Sequence, residues 1–118
     1  MATASAPATP TLAQLLQQRR MEDRLNMALP VKLYFDESGA AVEWSCTYEI
    51  SAKSARLLRT PNVKSVGQEV WLQRNNRRAK YRVTWIGEAD SPKAFQFGAD
   101  CLEDRLIWDD DVQGRLRR

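Results

Sequence analysis

Residues 42–50 read VEWSCTYEI, the clearest structural pattern in the chain. Apolar and aromatic side chains alternate with Glu, Ser and Thr at every second position, which is the pattern of a strand with one buried face. The pattern predicts that the apolar set faces a core and the polar set faces outward. The predicted inward set is Val42, Trp44, Cys46, Tyr48 and Ile50.

Five further short strands are predicted around this one, because alternating segments recur between turn residues such as Gly67 and the pair Asn75-Asn76. The predicted ranges are 31–35, 55–59, 68–73, 79–85 and 94–102. Alternation places a further inward set along the last two of these strands: Ala79, Tyr81, Val83, Trp85, Phe95, Phe97, Ala99 and Cys101. The chain is therefore expected to be mainly β, folded as a small six-stranded antiparallel β-barrel whose closure removes exposed strand edges.

The barrel is expected to be one of four parts of the chain. Residues 1–10 are rich in Ala, Thr and Pro, carry no secretory signal pattern and predict a disordered leader. Residues 11–26 are expected to form an N-terminal helix and an arginine-rich switch segment: leucines at helical spacing predict the helix, which is expected to fray or become a loop near 19–26. The barrel is expected over 27–103. A C-terminal segment, 104–118, is expected to hold a short helix with Trp108 packed on the barrel.

Composition excludes several classes of function. The chain has 118 residues, 43% hydrophobic and 28% charged, as is typical of one globular domain. It has no histidine and only two cysteines, so a zinc cage and a histidine general base are both absent, and no metal site is predicted. We therefore expect a binding module and not an enzyme.

No apolar run approaches the ~20 residues of a membrane span. Cys46 and Cys101 are expected to be reduced and buried, which predicts a cytoplasmic protein.

The charges are segregated along the chain. Residues 52–82 hold nine basic residues and one acid, for a charge of +8, whereas residues 83–113 hold eight acids and two bases, for −6. One interpretation is a basic surface for an anionic partner such as nucleic acid, with Trp71 partly exposed beside it. The other is that the basic strand faces are balanced by a neighbouring acidic face. The charges alone leave both open.

Two short motifs carry the candidate chemistry. Residues 20–24 read RMEDR, preceded by Arg19, and residues 49–54 read EISAKS at the exit of the second strand. Strand alternation predicts that Glu49 and Ser51 point outward together, where a ligand can lie against the barrel.

These motifs resemble those of the PilZ family of bacterial cyclic di-GMP receptors. That family pairs RxxxR before the first strand with [D/N]xSxxG across the second and third strands. Residues 20–24 match the first motif, and residues 49–54 match the second in spacing, with Glu49 in place of Asp or Asn and Ser54 in place of Gly. The resemblance extends over residues 19–103, including FQFGA at 95–99. It implies the ligand-binding set Arg19, Arg20, Arg24, Glu49, Ser51 and Ser54.

The function that this resemblance implies is a cyclic di-GMP receptor or adaptor. Ligand binding would order the arginine segment and pass the signal to a protein partner. Two alternatives stay open. A degenerate domain of this kind would not bind nucleotide and would act through protein–protein contact, which Ser54 favours if the motif glycine needs a positive φ. A small basic barrel of this kind could instead bind single-stranded nucleic acid.

Overall fold

The computed structural model describes residues 24–116, which form a closed six-stranded antiparallel barrel followed by one helix. The elements are β1 (Pro30–Tyr34), β2 (Val42–Ile50), β3 (Ser54–Leu58), β4 (Glu69–Arg74), β5 (Arg77–Ile86), β6 (Gln96–Cys101) and α1 (Asp110–Leu116). Around the barrel the order is β1-β2-β3-β6-β5-β4, and β4 pairs with β1 to close it. The predicted architecture and strand number are confirmed. No helix of the described part is long and apolar enough to span a membrane.

The core is built from inward side chains of all six strands and from the C-terminal segment. Ile107 and Trp108 are fully buried, and α1 adds Val112 and Leu116 to the same core. Two ion pairs join this segment to the β4–β5 hairpin. The N–O distance is 3.2 Å between Arg74 and Asp109 and 2.6 Å between Arg77 and Asp110. The predicted C-terminal helix and the packing of Trp108 are therefore confirmed.

The predicted orientation of β2 is wrong over most of the strand. Its hydroxyl residues face inward, with Thr47 fully buried and Ser45 nearly so, while Trp44 is 63% exposed. Cys46 is only half-buried. The buried hydroxyls are satisfied by backbone groups outside the strand. Thr47 Oγ1 accepts from the Leu29 amide at 2.9 Å and donates to the Met27 carbonyl, and Ser45 Oγ donates to the Leu58 carbonyl at 2.7 Å.

A β-bulge explains why Ile50 is nevertheless buried as predicted. Thr47 faces Leu57 on β3 and Glu49 faces Arg56, so one extra residue is inserted between the two pairs. The insertion reverses the alternation, because a side-chain period of two changes face with each added residue. Uninterrupted alternation was assumed along the whole strand. Because Ile50 lies after the bulge, residues before the bulge, such as Trp44, were assigned to the wrong face.

A second bulge, in β5, makes the predicted inward orientation of Trp85 wrong. Val83 faces Ala99 on β6 and Trp85 faces Gly98, again with one residue inserted between the pairs. Trp85 is thereby turned from the core to the outer face, where it is half-buried. Phe95 was also predicted inward but is 77% exposed, because it lies just before the start of β6.

The chain enters the barrel as an extended segment. Leu25 forms an antiparallel bridge with Ile50, with N–O distances of 2.8 and 2.9 Å. The predicted segment 11–26 is therefore not helical at residues 24–26, which agrees with the expectation that the helix gives way to a loop near 19–26. Its other residues, and the predicted leader 1–10, lie outside the described residues.

The orientation of the tryptophans gives a test of the fold. Replacing the fully buried Trp108 with Ala leaves a large cavity, and we expect the free energy of unfolding to fall by about 3–5 kcal/mol. Trp44→Ala is the matched control. Its ring is exposed and contacts Lys32, so the loss should be at most about 1 kcal/mol. Urea unfolding followed by circular dichroism measures both. A larger loss for Trp44→Ala would contradict the orientation of β2.

Candidate functional site

One register row on the outer face of the barrel crosses four strands. Glu49 on β2 faces Arg56 on β3, Arg56 faces Gly98 on β6, and Gly98 faces Trp85 on β5. Neighbouring strands lie about 4.8 Å apart, so three intervals make the row roughly 14 Å wide. The row forms the floor of an open cleft of about 470 Å³. Both bulges lie at the ends of this row, and each turns a terminal side chain outward.

The first motif contributes Arg24 to the cleft. The bridge between Leu25 and Ile50 places Arg24 beside β2, where its Nη1 lies 3.6 Å from Oε1 of Glu49. The Arg24 side chain is more than half exposed. Ion pairs of this length and exposure contribute little to stability. The guanidinium is therefore available to an anionic ligand at low cost to the fold.

The second motif contributes Ser54 to the cleft and buries Ser51 beneath it. The Ser51 side chain was predicted to point outward with Glu49, but the residue is only 1% exposed, because the chain turns sharply where β2 ends. Its Oγ accepts from the Ser54 amide at 3.0 Å and lies 2.7 Å from Ser54 Oγ. Ser51 is therefore in place to fix the turn that presents Ser54.

Ser54 occupies its position without backbone strain. Among the described non-glycine residues, only Asn75 has a positive φ. The glycine of the family motif is thus replaced here by a residue in an ordinary strand conformation. A requirement for positive φ at this position does not apply to this chain, and only the size of the Ser54 side chain distinguishes it from the motif.

The cleft also contains side chains that the sequence prediction missed. Arg56 Nη1 donates to Oε1 of Gln96 at 3.2 Å, and its guanidinium lies 6.0 Å from the ring centre of Tyr48. Lys93 Nζ lies 5.4 Å from the ring centre of Trp85. Arg56 has the same strand parity as Ser54 two residues earlier, and a glycine inside a strand, such as Gly98, marks a close approach. Those two signals were present in the sequence.

The charges of the cleft favour an anion that also carries hydrogen-bond donors. Arg24, Arg56 and Lys93 supply positive charge, and Glu49 and Asp100 supply carboxylates. Phosphate oxygens can pair with the former, and N–H donors with the latter. Arg19 and Arg20, also predicted for this site, lie outside the described residues.

Five of the nine basic residues in the strip 52–82 form ion pairs with acidic side chains. Lys53, Arg74 and Arg77 pair with acids of the C-terminal segment. Lys80 and Arg82 pair with Glu69. The hydrogen bond from Arg82 holds the pKa of the Glu69 carboxyl below its usual value. The second interpretation of the charge pattern, a basic face balanced by an acidic neighbour, therefore applies to Lys53, Arg74 and Arg77, while Lys80 and Arg82 are paired within the strip.

Comparison with known proteins identifies the fold. A scan against protein-family models finds no match, and neither does a search of curated proteins. Among solved structures, the chain is similar to the Bacillus subtilis inhibitor of motility MotI/DgrA, with a TM-score of 0.59 and 19% identity over 85% of this chain and 49% of that one. It is also similar to the PilZ domain of CeSA from a cellulose-synthesizing bacterium, with a TM-score of 0.50 and 15% identity over 70% of this chain and 82% of that one.

These likenesses show a shared fold. The chain spans about half the length of MotI/DgrA and most of the length of the CeSA domain. The barrel is the one that the motif resemblance predicted.

The conformation of Ser54 predicts the effect of restoring the motif glycine. Ser54→Gly removes the hydrogen bond to Ser51 and adds backbone freedom to β3, so we expect the free energy of unfolding to fall by about 1–2 kcal/mol. Ser54→Ala, the control, removes only the hydroxyl and should lose about 1 kcal/mol. Urea unfolding measures both. A gain in stability with glycine would show that Ser54 is strained.

Proposed function

We propose that this chain, which has the fold of a PilZ domain, binds cyclic di-GMP in the cleft between Arg24 and Trp85. It would act as a receptor or adaptor and not as an enzyme, passing the signal to a protein partner. One observation carries the proposal. Three of the four described motif positions, Arg24 from the first motif and Glu49 and Ser54 from the second, line a single cleft although 25 positions separate Arg24 from Glu49.

The chemistry of the ligand fits the residues of the cleft. Cyclic di-GMP carries two phosphates and two guanines. The guanidinium of Arg24 would pair with a phosphate or with the O6/N7 edge of a guanine. The carboxylate of Glu49, released from Arg24 or shared with it, would accept from guanine N–H donors. Ser54 would supply one hydroxyl, held in place by Ser51.

Signalling would follow from the position of Arg24 at the entry to the barrel. The segment 19–26 carries three arginines and is attached to β2 through the bridge between Leu25 and Ile50. A ligand held by Arg24 and by the cleft floor would fix this segment against the barrel. The protein partner would then bind the ordered segment, so that the ligand shifts the population of the binding-competent state.

A second candidate function is protein binding without nucleotide. The outer face of β2 favours it, because Val42, Trp44 and Tyr48 are exposed along one strand. Exposed aromatic side chains on a sheet face are common anchors of protein interfaces. Single-stranded nucleic acid is less favoured, because five of the nine bases in the strip that prompted it are paired with acids.

Calorimetric titration with cyclic di-GMP tests the proposal. We expect saturable binding by the unmodified protein. Arg24→Ala should weaken it roughly tenfold to hundredfold, because a hydrogen bond to a charged group contributes about 1.5–3 kcal/mol. Arg20→Ala should also weaken binding if the first motif acts as a unit.

The control is Arg115→Ala, which removes an exposed arginine of α1 outside the cleft and should leave affinity unchanged. Absence of saturable heat with the unmodified protein would reject the receptor function and favour the protein-binding alternative. Equal losses for Arg24→Ala and Arg115→Ala would show that binding is a general charge effect and not a property of the cleft.

A further inference from the structure

We infer that Trp85 is the stacking platform of a purine-base subsite at the β5 end of the cleft, with Lys93 covering the ring until a base arrives. This inference rests on the proposed function, because it assigns a role within the same cleft. Trp85 lies outside both sequence motifs, and strand alternation placed it in the core.

The position of Trp85 is fixed by the bulge and by Gly98. The bulge turns the side chain outward, opposite Gly98 on the neighbouring strand. A Cβ added to Gly98 would lie only 2.0 Å from the indole Nε1, so the indole rests directly on the backbone of β6. One side of the indole is thereby occupied by the strand. A large ring held in this way is preorganised, and little entropy is lost when a second ring stacks on it.

Lys93 and its loop lie beside the ring on the cleft. Its Nζ is 5.4 Å from the ring centre, within the range of a cation–π contact. The base of the loop is tight: Gly87 donates to the Gln96 carbonyl at 2.9 Å, Gln96 donates to the Lys93 carbonyl at 3.0 Å, and a Cβ on Gly87 would collide with that carbonyl. The backbone of Lys93 is therefore fixed, and its side chain is the part that can move.

The energies favour exchange of the ammonium for a base. Stacking of a nucleobase on an aromatic side chain is generally stronger than an exposed cation–π contact with the same ring. The displaced ammonium then remains beside the ligand, where a phosphate oxygen can pair with it. Lys93 would thus exchange a contact with the ring for a contact with the ligand's negative charge.

The spacing of the row suits a ligand with two bases. Glu49 and Trp85 lie at opposite ends of the row, roughly 14 Å apart along the floor, with Arg56 and Gly98 between them. Gly98 has no side chain, which lets the indole of Trp85 lie over β6, so the ring is nearer to Glu49 than the Trp85 backbone is. One guanine would hydrogen-bond at Glu49, and the other would stack on Trp85. The first contact selects guanine, whereas the second accepts any purine because stacking reads only the face of the ring.

Titration of three tryptophan variants with cyclic di-GMP tests the inference, by calorimetry and by intrinsic fluorescence. Trp85→Leu keeps an apolar contact with Gly98 but removes the aromatic face, and we expect binding to weaken roughly tenfold or more. Trp85→Phe should recover part of the affinity, because it restores an aromatic face. Trp44→Leu, the matched control outside the cleft, should bind as tightly as the unmodified protein. Ligand should quench fluorescence in the unmodified protein and in Trp44→Leu, and the quenching should be lost in both Trp85 variants.

The outcomes separate this inference from the proposed function. If the unmodified protein binds and both Trp85 variants bind equally tightly with quenching intact, the stacking role is overturned and the receptor function stands. If the unmodified protein does not bind cyclic di-GMP, both are overturned. The unmodified protein and Trp44→Leu both retain Trp85, so quenching in these two proteins does not depend on whether the Trp85 variants fold. Absence of quenching in these two proteins despite calorimetric binding would overturn the stacking role even if the Trp85 variants failed to fold.

Discussion

Closure of the barrel limits how each strand can pair with its neighbours. Every strand is paired on both sides, including β1 with β4, so no edge is left at which a mismatch in strand length can be absorbed. An extra residue must then appear inside a ladder as a bulge. Two bulges occur, one in β2 before Glu49 and one in β5 before Trp85. Each reverses the alternation of its strand, and each turns outward a side chain that lines the cleft.

The cleft is therefore a product of the same geometry that closes the barrel. Its floor is a single register row whose two ends are set by the bulges, and at Gly98 the absence of a side chain leaves room for the indole of Trp85. The short bridge between Leu25 and Ile50 brings Arg24 to one end of this row. The site needs no strained residue at Ser54, because the turn that presents it is held by the buried hydroxyl of Ser51.

The sequence predicted the strands well because strands and turns are local features. Alternation, the turn at Asn75 and the glycine before β4 together located all six strands within a few residues of where they lie. Which face of β2 is buried could not be predicted in the same way. Its apolar residues fit the inward pattern better than Ser45 and Thr47, yet the hydroxyls are buried because backbone groups distant in sequence satisfy them. For the site, motif spacing identified Arg24, Glu49 and Ser54, whereas Trp85 and Lys93 depend on a bulge and a loop that no local pattern indicates.

The arrangement of charge follows from the fold in the same way. The basic strip and the acid-rich segment after it are separate in the sequence, but Lys53, Arg74 and Arg77 meet acids of that segment in space. Their charges are neutralised by ion pairs within the molecule. Arg56 and Lys93, by contrast, make no ion pair within residues 24–116; Arg56 bonds an amide and Lys93 contacts a ring. Positive charge without a carboxylate partner thus remains in the cleft, where a concave surface strengthens its attraction for an anion. Net charge along the sequence indicates how many bases the chain has, but only the pairing in the folded barrel indicates which of them are left to bind a ligand.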